Sequence, residues 1–511
     1  MRLLIENCKV LGEDVRSVFV DGPAIARTSA SPSQTVPADT TRLDGNGASL
    51  LTGLVDTHCH PFEYGWLKRN VDLRGTSSVT GLRLRLSARL QRSEPGQWVT
   101  GMGWDHEAFP ARKMPSRTDI DDISPRNPVA LKRVDGHAGL LNSKAIESLG
   151  LEGKVGEEYE RGADGRLTGI VKERALDNVF SAVPRSIEES AAGLMAVEFE
   201  AIRLGLTKLH GIVSGEGYKE ELGALASLRE SGSLSMRYRI YLPFDALGFV
   251  SESGLRQKLA DEMVRINGVK LYADGSLGSR TAALREPYND DPGNSGLLRY
   301  SDERLADLVE RVDAAGFQVI VHAIGDRAVE QAIGAISRVS GPGNPRRHRI
   351  EHASLLPRDL TSRMSKHGIR ASVQPCFITS DTWAVDRLGE ERAGSLYPLK
   401  SMLDAGIIAS GSSDSPVETL SPVIGAWAAS VRAGVAPEEA LSLDQALALY
   451  TKNAESNGLD ETLGVREGAP ADLTLLDSNV EGMHPALFRK VGVTAVMIHG
   501  ELVSSSAGSS D

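Results

Sequence analysis

Two hydrophobic periodicities alternate along residues 186–451 of this chain. Segments with an apolar position every three to four residues, as in amphipathic helices, are each followed by a short apolar run, as in buried strands. Strands that alternate with helices pair in parallel. With an earlier apolar run at 54–58, the pattern predicts an α/β fold of eight parallel strands, the (β/α)8 TIM barrel. The other predicted strands are 207–212, 236–242, 268–273, 318–323, 349–353, 370–374 and 407–410.

The two ends of the chain follow another pattern, in which short strand-like runs are separated by Gly and Asp turn residues. We therefore predict one small β domain, built discontinuously from residues 1–51 and 463–511. The barrel is then predicted to occupy 52–462. Residues 62–185 interrupt its pattern, and this stretch is too long for a simple strand-to-helix loop. We interpret it as an inserted subdomain at the carboxyl end of the barrel, near an active site.

The first predicted barrel strand ends in two histidines, His58 and His60. Residues two apart on a strand point the same way, so both imidazoles project from one face, about 6–7 Å apart along the strand. Such a pair can hold one metal ion. Close pairs of histidine also arise by chance, so the pair alone does not define a metal site.

Further metal-ligand types stand at the ends of later predicted strands, where the catalytic groups of a barrel lie. His322, His352 and Asp414 each occupy such a position. A single histidine on an apolar strand usually belongs to the core, but the set is hard to obtain by random placement. Together with the first strand's pair, it favours a metal centre.

Lys270 lies on the predicted strand 268–273, on the face that points into the barrel. A buried lysine is costly unless it is paired, and burial lowers the pKa of its amine. The neutral amine can add carbon dioxide to form a carbamate, an anionic group with two oxygens that can bridge two divalent ions. Lys270 is therefore a candidate bridging ligand.

Composition narrows the class of protein. The 511 residues include 57 basic and 68 acidic side chains, a net charge of −11, and no run of Lys or Arg, which argues against nucleic-acid binding. The three cysteines, Cys8, Cys59 and Cys376, form no disulfide framework. No apolar run is long enough to cross a membrane. We expect a cytoplasmic enzyme that acts on a small molecule, with no nucleic-acid or membrane partner.

The sequence resembles the metal-dependent amidohydrolase superfamily, and most closely its amidohydrolase family 3 branch, which includes N-substituted formamide deformylase. The resemblance covers nearly the whole chain, and motifs of this length are specific. The matching motifs are Gly53-Leu-Val-Asp-Thr-His-Cys-His60, Gly103-Trp-Asp-His106, Asp135-Gly-His-Ala-Gly-Leu-Leu-Asn-Ser-Lys-Ala145, Val269-Lys-Leu-Tyr-Ala-Asp-Gly-Ser-Leu-Gly-Ser-Arg-Thr-Ala282, His322-Ala-Ile-Gly-Asp-Arg-Ala328, Arg349-Ile-Glu-His-Ala353 and Ser413-Asp-Ser-Pro-Val417.

The resemblance implies a barrel, a β-sandwich made from both chain ends, and one or two divalent metal ions, with zinc expected. It also makes a homodimer plausible. Position by position, it assigns His58, His60 and Asp414 to one ion, His322 and His352 to a second, and a carboxylated Lys270 to the bridge between them.

Four other residues are predicted to contact substrate: His137, Trp104, Arg280 and His210. His137 is equally suited to a structural role in the insertion. Arg280 can pair with a substrate carboxylate, although a structural salt bridge is at least as good an interpretation. His210 precedes Gly211, where relatives often have Asp, which weakens a shared role. The loop around Asp414 also lacks a tryptophan that is frequent in the family, so substrate choice is expected to differ.

The predicted activity is hydrolysis of an amide-type C–N bond, other than a peptide bond, by metal-activated water. Asp414 is the expected general base and then acid, and Lys270 the second catalytic residue. Three alternatives stay open at this stage. The same site could hydrolyse a lactone, ester or phosphoester, it could hold a single metal beside an unmodified Lys270, or the barrel could be a non-catalytic binding protein.

Overall fold

Eight parallel strands form the largest sheet of the computed structural model, which describes residues 1–134, 137–215, 217–460 and 464–505. Each strand after the first pairs with the strand that precedes it in this sheet. In chain order they are β1 (Leu54–Cys59), β2 (Leu206–Ile212), β3 (Arg237–Pro243), β4 (Val264–Tyr272), β5 (Gln318–Ala323), β6 (Arg349–His352), β7 (Arg370–Val373) and β8 (Ala409–Gly411).

Hydrogen bonds join β1 to the end of the sheet formed by β8. The Thr57 hydroxyl lies 2.9 Å from the Ser410 hydroxyl and donates to the Gly411 carbonyl at 3.1 Å. The Asp414 amide donates to the His58 carbonyl at 2.8 Å. The sheet is therefore a nearly closed barrel, and the predicted α/β fold with eight parallel strands is confirmed.

Two strands differ from their predicted bounds for local reasons. β4 begins before the predicted residue 268, because the buried Val264 already pairs with Tyr238 of β3. β8 begins after the predicted residue 407, because the amide of Ile407 is still bonded to the Met402 carbonyl at the end of the preceding helix.

Amphipathic helices follow the barrel strands. In Asp302–Ala314 the buried Leu305, Leu308 and Val312 recur at helical spacing, and the Ser301 hydroxyl accepts from the Arg304 amide at the N-terminus. The helices are Ile187–Arg203, Tyr218–Glu230, Ala246–Glu252, Leu255–Lys258, Asp302–Ala314, Asp326–Ser337, Arg358–Lys366, Phe377–Ser380, Ala384–Leu388, Glu390–Ala393, Leu399–Asp404, Pro422–Val431, Leu443–Tyr450, Lys452–Asn457 and Pro485–Phe488, with 3-10 turns at Arg432–Gly434 and Pro437–Glu439. Within the described ranges no helix is long and apolar enough to cross a membrane.

The chain ends form two further sheets that share one hydrophobic cluster, which includes Leu3, Leu50 and Leu473. Segments from the two ends pair directly, since Leu50 lies opposite Leu475 in an antiparallel ladder. One sheet contains Arg2–Glu6, Ser17–Asp21, Ala24–Ser29 and Thr41–Asp44, and the other contains Lys9–Val10, Ser49–Thr52, Leu473–Leu476, Val493–Ile498 and Glu501–Ser505. Parts of the predicted β domain, 463 and 506–511, lie outside the described residues.

The chain divides into two compact units, and the second consists of Phe62–Ala196 and Lys219–Ala224. This second unit has its own six-stranded sheet and two hydrophobic clusters. The insertion was predicted at about 62–185, and its boundaries stay a prediction. The strands of the second unit are Val71–Asp72, Val99–Trp104, Val129–Arg133, Ala138–Leu141, Tyr159–Arg161 and Leu167–Lys172, with helices Pro61–Arg69, Val79–Leu90, Ser143–Ser148 and Glu173–Ala182 and 3-10 turns His106–Ala108 and Arg117–Asp119.

Candidate metal centre

Three side chains meet where β1 ends. The rings of His58 and His60 have their centroids 5.6 Å apart. One carboxylate oxygen of Asp414, Oδ1, lies 3.1 Å from Nε2 of His58 and 3.2 Å from Nε2 of His60. One ligand atom from each of the three residues falls within 4.8 Å of the others. Two imidazole nitrogens and a carboxylate oxygen at this spacing suit a divalent metal ion.

The loop after β8 is attached directly to the end of β1. The amide of His60 donates to the Ser415 carbonyl at 2.8 Å. The buried carboxylate of Asp56 accepts from the amides of His58 at 3.1 Å and Ser413 at 3.2 Å. Burial raises the pKa of Asp56 to about 6. Asp56, which the sequence reasoning missed, therefore ties the two segments together.

Asp414 sits in the left-handed region of the backbone, with φ of 54°, and so does His352, with φ of 71°. Non-glycine residues adopt this conformation at an energetic cost, and such residues cluster at functional sites. Burial raises the pKa of Asp414, but the neighbouring His58 and His60 outweigh it and hold this pKa well below its ordinary value. The carboxylate is therefore ionised.

A buried carboxylate sets the orientation of His58. Nδ1 of His58 donates to Oε2 of Glu351 at 2.5 Å, and Arg349 donates through Nε to the other oxygen, Oε1, at 2.6 Å. All three side chains are at most 1 % exposed. Burial raises the pKa of Glu351, but Arg349 and His58 outweigh it, and the pKa lies well below its ordinary value. Nε2 of His58 is thereby left to face Asp414.

Arg349 and Glu351 were not singled out as functional residues. Both lie on β6, where they alternate with Ile350 and share one face of the strand. Two opposite charges on one face of a strand buried on both sides were the available signal, because such charges are rare unless they are paired.

His352 and His322 are each held by a hydrogen bond from one ring nitrogen. Nδ1 of His352 donates to the Gln374 side-chain oxygen at 2.8 Å, and Nε2 of His322 donates to the Gly275 carbonyl at 2.9 Å. The rings lie 4.4 Å apart. Burial lowers the pKa of His352 to about 3 and that of His322 well below its ordinary value. Both imidazoles are therefore neutral, which is the form that binds metal.

Lys270 completes the cluster from β4. Its side chain is buried, and Nζ donates to Nε2 of His58 at 3.1 Å. Burial lowers the pKa of Lys270 to about 8, against the opposing attraction of Glu351 and Asp414. The structure thus brings all six predicted metal-site residues together. Their role as ligands stays a prediction.

A third buried carboxylate, that of Asp274, contacts His322 and the loops beside it. Asp274 is fully buried and accepts from the amides of Ala283, Ile324 and Gly325 at 2.9–3.1 Å. Its Oδ1 also lies 3.5 Å from Nε2 of His322. Burial raises the pKa of Asp274 to about 7. Asp274 therefore fixes the loop after β4 against the loop after β5, which holds His322 in place.

Two of the predicted substrate-binding residues, His210 and Arg280, have partners within the compact unit that contains the barrel. His210 is fully buried on β2, where Nδ1 accepts from Arg349 at 3.2 Å and the ring packs against Tyr241. Arg280 forms an ion pair with Asp290 at 2.8 Å. These contacts are structural ones, and the predicted substrate contacts stay predictions.

The other two predicted substrate-binding residues lie in the second unit. Trp104 is fully buried and donates its indole N–H to the Leu131 carbonyl at 2.9 Å. His137 is exposed, and its Nδ1 lies 3.2 Å from Oε2 of Glu173. Asp135 and Gly136, from the motif that contains His137, lie outside the described residues. A substrate contact for either residue stays a prediction.

Comparison with known proteins explains the shared motifs. A model of the amidohydrolase family matches residues 43–504. This chain belongs to the amidohydrolase family. The expected resemblance is thereby confirmed, and the amidohydrolase is expected to act with a divalent metal ion.

Individual relatives span almost the full length of this amidohydrolase. YtcJ of Bacillus subtilis (strain 168) is 30 % identical over 488 residues, which cover 91 % of this chain and 90 % of YtcJ. N-substituted formamide deformylase of Arthrobacter pascens is 26 % identical over 543 residues, or 99 % of each chain. The crystal structure of a metal-dependent hydrolase from Pyrococcus furiosus has a TM-score of 0.81 and 32 % identity, covering 93 % of this chain and 98 % of that one.

Proposed function

We propose that this amidohydrolase cleaves an amide-type C–N bond, other than a peptide bond, in a small-molecule substrate. The observation that carries the proposal is the meeting of four imidazoles, a buried lysine and an ionised carboxylate at the carboxyl ends of the barrel strands. Family membership narrows the reaction to hydrolysis. The similarity to a formamide deformylase favours a C–N bond over an ester.

The donor set fits one or two divalent ions, and zinc is the ion we propose. Imidazole nitrogen and carboxylate oxygen are ordinary zinc ligands. Three of the four imidazoles that would bind are held by the other ring nitrogen: His58 by Glu351, His322 by the Gly275 carbonyl and His352 by Gln374. We assign one ion to His58, His60 and Asp414, and a second to His322 and His352.

Lys270 is the proposed bridge between the two ions. With a pKa of about 8, a useful fraction of its amine is neutral near neutral pH. The neutral nitrogen can form a bond to the carbon of carbon dioxide and lose one proton, which gives a carbamate. The amine would thus change from a cation, which repels metal, to an anion with two ligand oxygens.

A bound divalent ion would supply Lewis-acid activation of a water molecule and of the substrate carbonyl. Asp414 is ionised and borders the site, so it can accept the proton that the attacking water loses. Asp414 then delivers this proton to the leaving nitrogen, which departs as a neutral amine. The carboxylate returns to its ionised form, so that it acts first as base and then as acid.

An activity panel with matched bonds tests this proposal. The protein is stripped with a chelator, reloaded with zinc and assayed on N-formyl and N-acyl amines beside the corresponding esters, lactones and phosphoesters. We expect zinc-dependent hydrolysis of the amides, and loss of about 10²–10⁴-fold in kcat for Asp414→Asn. The exposed Asp404→Asn is the matched control and should be unchanged. Hydrolysis of esters or phosphoesters alone would contradict the C–N assignment, and wild-type turnover by Asp414→Asn would contradict the proton transfer.

The proposal also covers the terminal domain, the location of the enzyme and its oligomeric state. We propose that the two terminal sheets, which share one hydrophobic cluster, form a single β-sandwich domain. We further propose that the enzyme acts in the cytoplasm and forms a homodimer. Trp104, His137, Arg280 and His210 stay candidates for substrate contact.

A further inference from the structure

A small cavity within the second unit combines an apolar wall with several charged side chains. Its volume is about 50 Å³, enough for roughly four water molecules. We call it the arginine cavity because Arg69, Arg89 and Arg185 all line it. Its apolar and aromatic wall is formed by Phe62, Trp66, Trp98, Val183 and Pro184.

Two of the three guanidinium groups have no acidic partner. In the described part of the chain, no carboxylate lies within 4.0 Å of Arg69 or Arg89. Arg89 donates only to neutral acceptors, the Arg69 carbonyl at 3.2 Å and the Ser93 hydroxyl at 2.7 Å. Burial lowers the pKa of Arg89, and the positive charge of Arg69 lowers it further, while Glu189 opposes this lowering. Arg69 and Arg89 are therefore neighbouring positive charges that Glu189 offsets only in part, and a bound anion would complete the neutralisation.

The two carboxylates that line the cavity each accept from a side chain other than Arg69 or Arg89. Glu221 is nearly fully buried and accepts from Arg185 at 3.5 Å. Glu189 accepts from the side-chain amide of Gln97 at 3.1 Å. The lining thus carries three arginines against two glutamates, which leaves an excess of one positive charge.

Asn70 adds a hydrogen-bond donor without an acceptor. Its side-chain oxygen accepts from the Thr100 hydroxyl, and the other side-chain atom is the amide nitrogen Nδ2. Nδ2 is buried and has no hydrogen-bond partner among the described residues. Buried polar groups are nearly always satisfied, so an unpaired donor beside two unpaired cations indicates a missing acceptor.

We propose that the arginine cavity is a binding site for a small organic carboxylate with an apolar body. A guanidinium group binds the two oxygens of a carboxylate in parallel, which suits Arg69, because Arg89 already donates through Nε and Nη1. One carboxylate oxygen can also accept from Asn70. Trp66 and Trp98 then cover the apolar part of the ligand. Every residue of this site belongs to the second unit, so the proposal does not depend on the proposed hydrolytic function.

Calorimetric titration of the full-length protein tests the proposal with defined probes. Isovalerate and benzoate are titrated beside their uncharged counterparts isovaleramide and benzamide, and beside inorganic phosphate. We expect saturable 1:1 binding of at least one carboxylate, with its amide at least about tenfold weaker. Equal binding of the amide would overturn the charge recognition. Equal or tighter binding of phosphate would overturn the apolar recognition, and no saturable binding would overturn the site.

Two variants locate the binding event. Asn70→Asp keeps the side-chain size and the acceptor for Thr100, but replaces the unpaired donor with a negative oxygen. Arg69→Gln removes a guanidinium that has no carboxylate partner in the described ranges. Each should weaken carboxylate binding at least about tenfold. Arg92→Gln, at an exposed position near Arg89, is the matched control for lost charge and should bind as the wild type does.

Thermal unfolding of each variant separates lost binding from lost folding. If Asn70→Asp fails to fold, Arg69→Gln still tests whether the carboxylate binds in the arginine cavity. Wild-type affinity in the folded Arg69→Gln variant would place any carboxylate binding elsewhere and overturn the proposal.

Discussion

The two ends of the barrel differ in how their buried charged side chains are paired. At the amino ends of the strands, Asp460 accepts from Lys208 at 2.7 Å and from Arg239 at 2.9 Å, and Arg237 pairs with Asp472 at 2.5 Å. Lys208 and Arg239 share one buried acid there, and Arg237 pairs with a second. This end of the barrel is neutralised by the chain itself.

The carboxyl ends of the strands are not neutralised in this way. His58, Lys270, His322 and His352 lie together there, and Nε2 of His58 lies 3.1 Å from both Asp414 and Nζ of Lys270. Imidazole nitrogens and a carboxylate oxygen grouped in this way are suitable ligands for a divalent metal ion. The two ends therefore differ in arrangement: charges are paired within the chain at the amino ends, and predicted metal ligands are grouped at the carboxyl ends.

Removing an acid from the self-neutralised end should give the largest effect on stability. In Asp460→Asn, Lys208 and Arg239 stay buried without a full counter-charge, so we expect a loss of about 3 kcal/mol in the free energy of unfolding at pH 7. Their attraction outweighs burial and holds the pKa of Asp460 below its ordinary 3.8. The contribution is therefore present above about pH 4 and is lost in stronger acid. Urea unfolding at pH 7 measures it.

The exposed pair of Asp307 and Arg304 supplies the control. Asp307→Asn should cost no more than about 0.5 kcal/mol. Metal content should stay at the wild-type level in both variants. Equal stability of the two variants would mean that the amino end of the barrel is not held by its ion pairs.

At the carboxyl end of the barrel, a substitution that changes the orientation of a predicted ligand, but keeps the ligand itself, should weaken metal binding. In Glu351→Gln an amide N–H can face Nδ1 of His58, which then becomes an acceptor and moves the ring proton to Nε2. We expect zinc affinity to fall about 10–100-fold, as measured by competition with a fluorescent chelator. Glu310→Gln, at an exposed ion pair, is the control. Unchanged zinc affinity in a folded Glu351→Gln protein would contradict this role.

The smallest effect is expected from a carboxyl group near the amino end. Burial raises the pKa of Glu455 from 4.5 to about 7, with Lys208 opposing the rise. The unfolded chain loses this proton near pH 4.5 and the folded chain near pH 7, so the free energy of unfolding falls as pH rises between these values. Glu455→Gln removes that dependence.

Stability curves of the wild type and Glu455→Gln at pH 4 and pH 8 measure this contribution. Because Glu455 is partly exposed, we expect the difference between the two proteins to change by about 1–2 kcal/mol across this range. The wild type should be the relatively less stable protein at pH 8. A difference that is constant with pH would show that Glu455 does not retain its proton.

The sequence predicted the barrel because its signals are local. Each buried strand needs a continuous apolar run, and each covering helix needs apolar residues on one face, as in Leu305, Leu308 and Val312. The first-strand pair, His58 and His60, was also recognisable, because both histidines end an apolar run. Strand bounds such as the early start of β4 depended on pairing with β3, which no local pattern contains.

The supporting residues of the site could not be found in the same way. Asp56, Asp274 and Glu351 act through partners that lie 51 to 357 residues away along the chain, such as Ser413, Gly325 and His58. Which amide or imidazole a buried carboxylate meets depends on the stagger of neighbouring strands and the path of their loops. The sequence shows only that an acidic residue stands in an apolar strand or just after one.

By itself, the sequence determined the strand count, the types of candidate ligand and the family, because these follow from periodicity and contiguous motifs. Only the tertiary structure decided which nitrogen each histidine presents, that Asp414 lies against His58 and His60, and that Asn70 leaves a donor unpaired in the arginine cavity. Hydrogen bonds and ion pairs depend on distances of about 3 Å between atoms. Such distances arise only when strands and loops from distant parts of the chain are packed together.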